Sequence, residues 1–159
     1  MDRLEAALEI TMNESLAWVR FRNQRFSLEI GRPMSLGIIQ VNHLNVTVPS
    51  ELEQAAKHFY GEVLGLRQLP KPEGTRQNIG AWYELGGIQL HLSIEDNVQN
   101  EASERHVCYQ VADAASAELH FRNAGIIIIS DQRPVKGTSR FFVRDPGGNM
   151  IEITEGKAG

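Results

Sequence analysis

Residues 140–154 read RFFVRDPGGNMIEIT, and their reading decides the fold. Two β-branched and aromatic runs, Arg140–Val143 and Asn149–Thr154, flank Asp145-Pro146-Gly147-Gly148, the make-up of two strands joined by a turn. Residues 81–94, AWYELGGIQLHLSI, repeat the design, with strands at Ala81–Leu85 and Ile88–Ile94 around Gly86-Gly87.

Upstream of each hairpin the same elements recur. Before the first come an alternating strand, Ile38–Val48, and a stop at Pro49. A helix then starts at Ser50, with Glu53 at the capping-box position, and runs to about Val63. Leu52, Ala55, Ala56, Phe59 and Val63 give it one apolar face, Gly65 ends it, and a short strand, Leu66–Leu69, follows. Before the second hairpin come a strand at Arg105–Val111, an N-cap at Asp113 and a helix over Ala114–Asn123. Ala124-Gly125 ends that helix and Ile126–Ile129 is the short strand. Each half thus reads strand–helix–strand–strand–strand, an internal repeat. Module one covers 37–96 and module two 104–155. Neither buries enough alone, so the two count as one domain over 37–155. Residues 1–36 read as a helical or irregular extension, because Leu4, Leu8, Met12, Leu16 and Val19 recur at helical spacing.

Composition narrows the function. Sixteen basic against 20 acidic residues give a net charge of −4, which argues against nucleic acid as a partner. No stretch approaches ~20 uninterrupted apolar residues, so no membrane span is expected. The opening Met1-Asp2-Arg3-Leu4-Glu5 lacks the apolar core of a signal peptide. One cysteine, Cys108, precludes an internal disulfide, suits the cytoplasm and reads as a small buried side chain.

Superposing the halves exposes the chemistry. The first strands pair His43 with His106, and the hairpin glycines pair His91 with Glu152. Gln89 takes the place of His91 if the register slips by two. A pseudo-twofold bringing the halves together would converge these four groups on one cavity. Imidazoles with a carboxylate suit Zn, Fe, Ni, Co or Mn and leave positions open for water or substrate. The remaining histidines, His58 and His120, fall mid-helix and read as surface residues. Arg140 opens a strand where it can pair an anionic substrate, and Trp82 can line the pocket.

The chain resembles the vicinal oxygen chelate superfamily, which includes glyoxalase I, fosfomycin-resistance proteins, extradiol dioxygenases and bleomycin-resistance proteins. His43-Leu44-Asn45-Val46, Phe59-Tyr60-Gly61-Glu62-Val63-Leu64-Gly65-Leu66, Trp82–Gly87 and Phe141–Ile153 carry the resemblance. It implies an α+β fold, two βαβββ modules forming an open, mixed-sheet, barrel-like cleft. It also implies that His43, His106 and Glu152 bind a divalent metal. His91 falls where glyoxalase I is expected to carry a carboxylate, so it is either the fourth ligand or the catalytic base. The implied function is a metal-dependent lyase, isomerase or dioxygenase acting on a small oxygenated substrate. The competing reading is a non-catalytic small-molecule binder like the bleomycin-resistance proteins; a third is glutathione-linked detoxification. The resemblance implies a homodimer with each site shared between chains, one giving His43 and His91, the other His106 and Glu152.

Overall fold

The structure, a computed structural model, describes residues 9–13, 16–21, 24–29 and 36–156, with side chains from 36 onward. It divides into two units, residues 1–40 and 41–159. The first holds β1 (Glu9–Asn13), β2 (Leu16–Phe21) and β3 (Gln24–Glu29), an antiparallel sheet in that order. Strands stand where the helical spacing predicted a helix. Leucines four residues apart satisfy a period of 2 as well as one of 3.6, so that spacing does not discriminate. Trp18, Val19, Phe21 and Phe26 tip the balance toward strand. Leu4 and Leu8 lie outside the described residues.

The second unit carries the repeat. Module one forms a sheet in the order β4 (His43–Val48), β7 (Ile88–Ile94), β6 (Ala81–Leu85), β5 (Gln68–Leu69). Module two repeats it with β8 (His106–Val111), β11 (Met150–Glu155), β10 (Arg140–Arg144) and β9 (Ile129–Ser130). In each sheet the module's first strand, β4 or β8, runs parallel to its neighbour and the other pairings are antiparallel. The result is the expected α+β pair of βαβββ modules, with sheets that do not close on themselves. The first strand is shorter than expected and starts at His43, not Ile38. Its partner β7 begins at Ile88 straight after the hairpin, so no ladder is available further upstream. Leu36, Ile38, Ile39 and Val41 are left exposed.

Pairing fixes the correspondence between modules. His43 lies opposite Gln89, and His106 opposite Met150. His91 and Glu152 each lie two residues further along, on the same face, which sets aside the slipped register for Gln89.

The module-one helix is composite: a 3-10 turn at Ser50–Leu52, α1 (Glu53–His58) and a wider π turn at Phe59–Val63. The expected capping box does not form. Asp96 takes the Ser50 N–H at 2.9 Å, while Glu53 accepts the Gly80 N–H at 2.8 Å and pairs with Lys57 at 2.7 Å. Asp96 and Gly80 come from distant sequence and Lys57 from the next turn, and together they outcompete the capping box. In module two the expected cap is present, Asp113 accepting the Ser116 N–H ahead of α2 (Ala114–Asn123).

One core serves both modules. Phe59, Tyr60, Tyr83, Leu90 and Val48 from the first meet Val143, Ile151 and Ile153 from the second, all essentially inaccessible. The seam is hydrogen-bonded. The Tyr60 hydroxyl donates to Asp145 at 2.7 Å, and Asn149 donates to Asp145 through both its backbone and its side-chain N–H. Asn100 and Asn149 each donate to the Thr47 carbonyl at 2.9 Å. A Cβ at Gly147 would run into the Val48 side chain, so this hairpin needs glycine to approach β4.

All three tyrosines sit in this interior. Burial raises Tyr60, Tyr83 and Tyr109 above the ordinary value of 10.0, Tyr109 to about 12. A phenol whose folded pKa exceeds its unfolded one supports the fold fully below the unfolded value. That support is lost as pH rises through the folded value. Tyrosinate absorption is therefore expected to appear together with loss of circular dichroism, nearer pH 12 than pH 10. Ionisation centred near ~10 with the dichroism unchanged would show the phenols to be hydrated.

Candidate active site

Each module carries a half-site on equivalent strands. In module one, His91 on β7 lies opposite Trp82 on β6, and alternation sets Gln89 beside it. The His91 ring stacks on Trp82 at 4.0 Å and 5°, and on His43 at 4.3 Å and 15°. Its Nε2 is 2.9 Å from Gln89 Oε1, to which it donates. Burial, then the charges of His43 and Lys71, hold the His91 pKa below its ordinary value. It is therefore a neutral imidazole at neutral pH, with Nδ1 free to take a proton.

In module two, His106 starts β8 and Glu152 lies on β11, with Nε2 and Oε2 3.0 Å apart. Glu152 is only 8% exposed. His106 Nδ1 lies 2.9 Å from the Glu104 carbonyl. Asp131 and Arg140 join them around a cavity of about 280 Å³ that Phe142 also lines.

Several expectations change here. Arg140 does not reach out for an anionic substrate. Its Nε pairs with Asp131 at 2.6 Å, one terminal nitrogen donates to Glu152 at 3.3 Å, and the other to the Arg133 carbonyl at 3.0 Å. Cys108 is exposed, not buried. Loss of part of its hydration, then the Glu152 carboxylate, push its thiol above the ordinary value, which disfavours the thiolate. Phe142 escaped the sequence reading, although it lies opposite Glu152 as Trp82 lies opposite His91. The hairpin alignment that pairs His91 with Glu152 would have found it. Phe141 is core. His58 and His120 are exposed, as expected, and His120 Nε2 donates to the Val63 carbonyl.

The four candidate groups do not converge within one chain. Among the described residues, no three His, Cys, Asp or Glu side chains cluster as a metal site. His43 with His91 forms one group and His106 with Glu152 another, so the single-chain convergence expected from the pseudo-twofold does not occur.

Donor chemistry tests whether a divalent ion suits these residues. The Glu104 carbonyl only accepts, so His106 Nδ1 carries a hydrogen, which turns Nε2 toward Glu152. An imidazole nitrogen and a carboxylate oxygen 3.0 Å apart are joined by a proton, whose place a cation can take. His43 is held alike, Nδ1 donating to Asn42 Oδ1 at 2.9 Å and Nε2 left free. Anchoring the second ring nitrogen is how metal-binding histidines are oriented. His43, His106 and Glu152 thus fit a divalent ion as two imidazoles and a carboxylate. His91 fits less well. Its Nε2 is engaged, and in-plane lone pairs of rings stacked face to face do not meet on one ion.

This paired-module fold is that of the glyoxalases and their relatives. The chain belongs to the Glyoxalase/Bleomycin resistance protein/Dioxygenase superfamily, whose family model matches residues 40–153. It is 30% identical over 109 residues to a probable lactoylglutathione lyase of Vibrio cholerae, covering 62% of this chain and 79% of that one. A crystal structure of a glyoxalase family protein from Bacillus anthracis superposes with a TM-score of 0.68 at 34% identity, covering 78% of this chain and all of the other. The fold is shared with the fosfomycin resistance protein FosX of Listeria monocytogenes, with a TM-score of 0.63, 13% identity, and 76% and 94% coverage. Among the described residues no helix is long and apolar enough to cross a membrane.

Proposed function

We propose that the protein is a divalent-metal-dependent enzyme acting on a small substrate with vicinal oxygens, each site built from two copies of the chain. His43 and His91 come from one copy, His106 and Glu152 from the other. One observation carries this reading: two half-sites stand at repeat-equivalent positions, and in one of them His106 Nε2 and a Glu152 oxygen meet at 3.0 Å. His43, His106 and Glu152 hold the ion, with Zn, Ni, Co, Mn and Fe all compatible with such a set. When bound, the metal supplies a Lewis acid for negative charge developing on the substrate oxygens.

His91 is the base. Gln89 fixes its tautomer, so the substrate proton goes to Nδ1. The resulting imidazolium lies over the Trp82 face, which favours a cation. Proton movement of this kind suits a lyase or isomerase. The relative's name makes methylglyoxal with glutathione the first substrate to try, although His91 stands where glyoxalase I is expected to have a carboxylate. The Trp82–His91–His43 stack also supports a second reading, a binder of flat ligands, and turnover of any substrate separates the two.

The shared site has a direct test. His43→Ala and Glu152→Ala proteins are each expected to lack the metal. Mixed under exchange conditions, they form heterodimers with one intact site, restoring metal to roughly a quarter of all sites. No restoration, from a wild type that binds metal, would place each site within one chain. A wild type that holds no stoichiometric divalent metal after loading would overturn the enzyme reading.

A further inference from the structure

We propose that Asp131 is a positioning residue which, through Arg140, holds Glu152 so that one carboxylate oxygen is kept for the metal. This rests on the metal-site reading above. Asp131 directly follows β9, and its side chain is only 10% exposed. Its Oδ1 accepts the Arg133 N–H at 2.8 Å, which fixes the carboxylate plane, and its Oδ2 accepts Arg140 Nε at 2.6 Å. Arg140 reaches Glu152 Oε1 at the longer distance of 3.3 Å, leaving Oε2 toward His106 at 3.0 Å. The chain from Asp131 through Arg140 and Glu152 to His106 thus runs from the end of β9 across β10 and β11 to β8.

Charge gives the arrangement its purpose. An arginine beside a carboxylate competes with a cation for it, and guanidinium readily takes both oxygens in a fork. Here the shorter contact ties Arg140 to Asp131, and the Asp131 charge neutralises it. Glu152 keeps its own charge for an incoming ion and is steadied by a single long bond. Without the Asp131 charge, Arg140 is free to swing onto Glu152 and occupy Oε2 as well.

The test is Co(II) affinity of the full-length protein, measured by competition with a chromophoric chelator, together with the visible Co(II) spectrum. Asp131→Asn is expected to weaken binding by about 10–100-fold, the range for partners of metal ligands, and to change the Co(II) band. In an Arg140→Met background the same substitution is expected to change nothing further, because its effect runs through Arg140. Circular dichroism and thermal melts confirm that each variant is folded. Affinity and spectrum unchanged in Asp131→Asn would overturn the proposal, as would an effect that persists in the Arg140→Met background. In both cases the metal site itself stands. A wild type that binds no Co(II) would instead remove the metal-site reading, and this proposal with it.

Discussion

Replacing Glu152 by alanine is expected to lower divalent-metal affinity by more than ~100-fold, beyond the 10–100-fold carried by partners of ligands. Glu152 is the one anionic donor in the proposed set, and anionic oxygen offsets the charge of the ion as imidazole does not. Its removal also takes away the second, longer contact of Arg140. Asp131 still pairs with Arg140, so the fold is expected to survive. Glu152→Gln keeps the shape and Oε1 but loses the charge, and its affinity should fall between wild type and Glu152→Ala. Equilibrium titration with Zn(II) or Co(II), with circular dichroism for each variant, measures both. An affinity within a few-fold of wild type in the alanine variant would remove Glu152 from the site.

The largest stability effect is expected at Asp145, which has no part in the proposed chemistry. Its carboxylate, 4% exposed, accepts from the Tyr60 hydroxyl and from the backbone and side-chain N–H groups of Asn149. Asp145→Ala strands the fully buried Tyr60 hydroxyl and removes the bonds that close the second hairpin. An unsatisfied buried polar group costs about 1–3 kcal/mol and each lost hydrogen bond about 1, so roughly 3 kcal/mol is expected overall. Tyr60→Phe leaves the carboxylate with Asn149 and should cost about half as much.

The sign of the pH dependence follows from burial, which raises the Asp145 pKa above its ordinary value. Such a group contributes most below its unfolded pKa, and the contribution is lost as pH rises through the folded value. Asp145→Asn should therefore remove a decline in stability above the ordinary carboxylate range. Urea unfolding at several pH values measures this through the midpoint at constant slope. A midpoint unchanged in Asp145→Ala would show that the modules do not depend on this seam.

The repeat was legible because its markers are local. Gly65 and Gly125 end the two helices at positive φ, as their places after the apolar faces require. Gly86-Gly87 and Asp145–Gly148 turn the hairpins, and strand alternation then places His91 and Glu152 on matching faces. The failures were equally physical. The extension misled because a four-residue spacing fits both periods. Ser50 and Glu53 have the pattern of a capping box, yet Asp96 and Gly80 arrive from elsewhere to bond them. Arg140 at a strand start looked free because its partners come from elsewhere, Asp131 from the residue after β9 and Glu152 from β11.

By itself the sequence determined the two βαβββ modules, their correspondence and the pairing of His43 with His106 and His91 with Glu152. Periodicity, caps and turn glycines act over a few residues, and a repeat written twice checks its own register. Only the tertiary structure decided what those side chains touch: the stack of His91 between Trp82 and His43, the tethering of Arg140, and the parting of the four groups into two half-sites. The first two depend on which strands pair within each sheet, and the last on how the modules meet across their seam. Contacts between residues up to about a hundred positions apart, such as Asn149 with Thr47, settle that, and no local pattern encodes them.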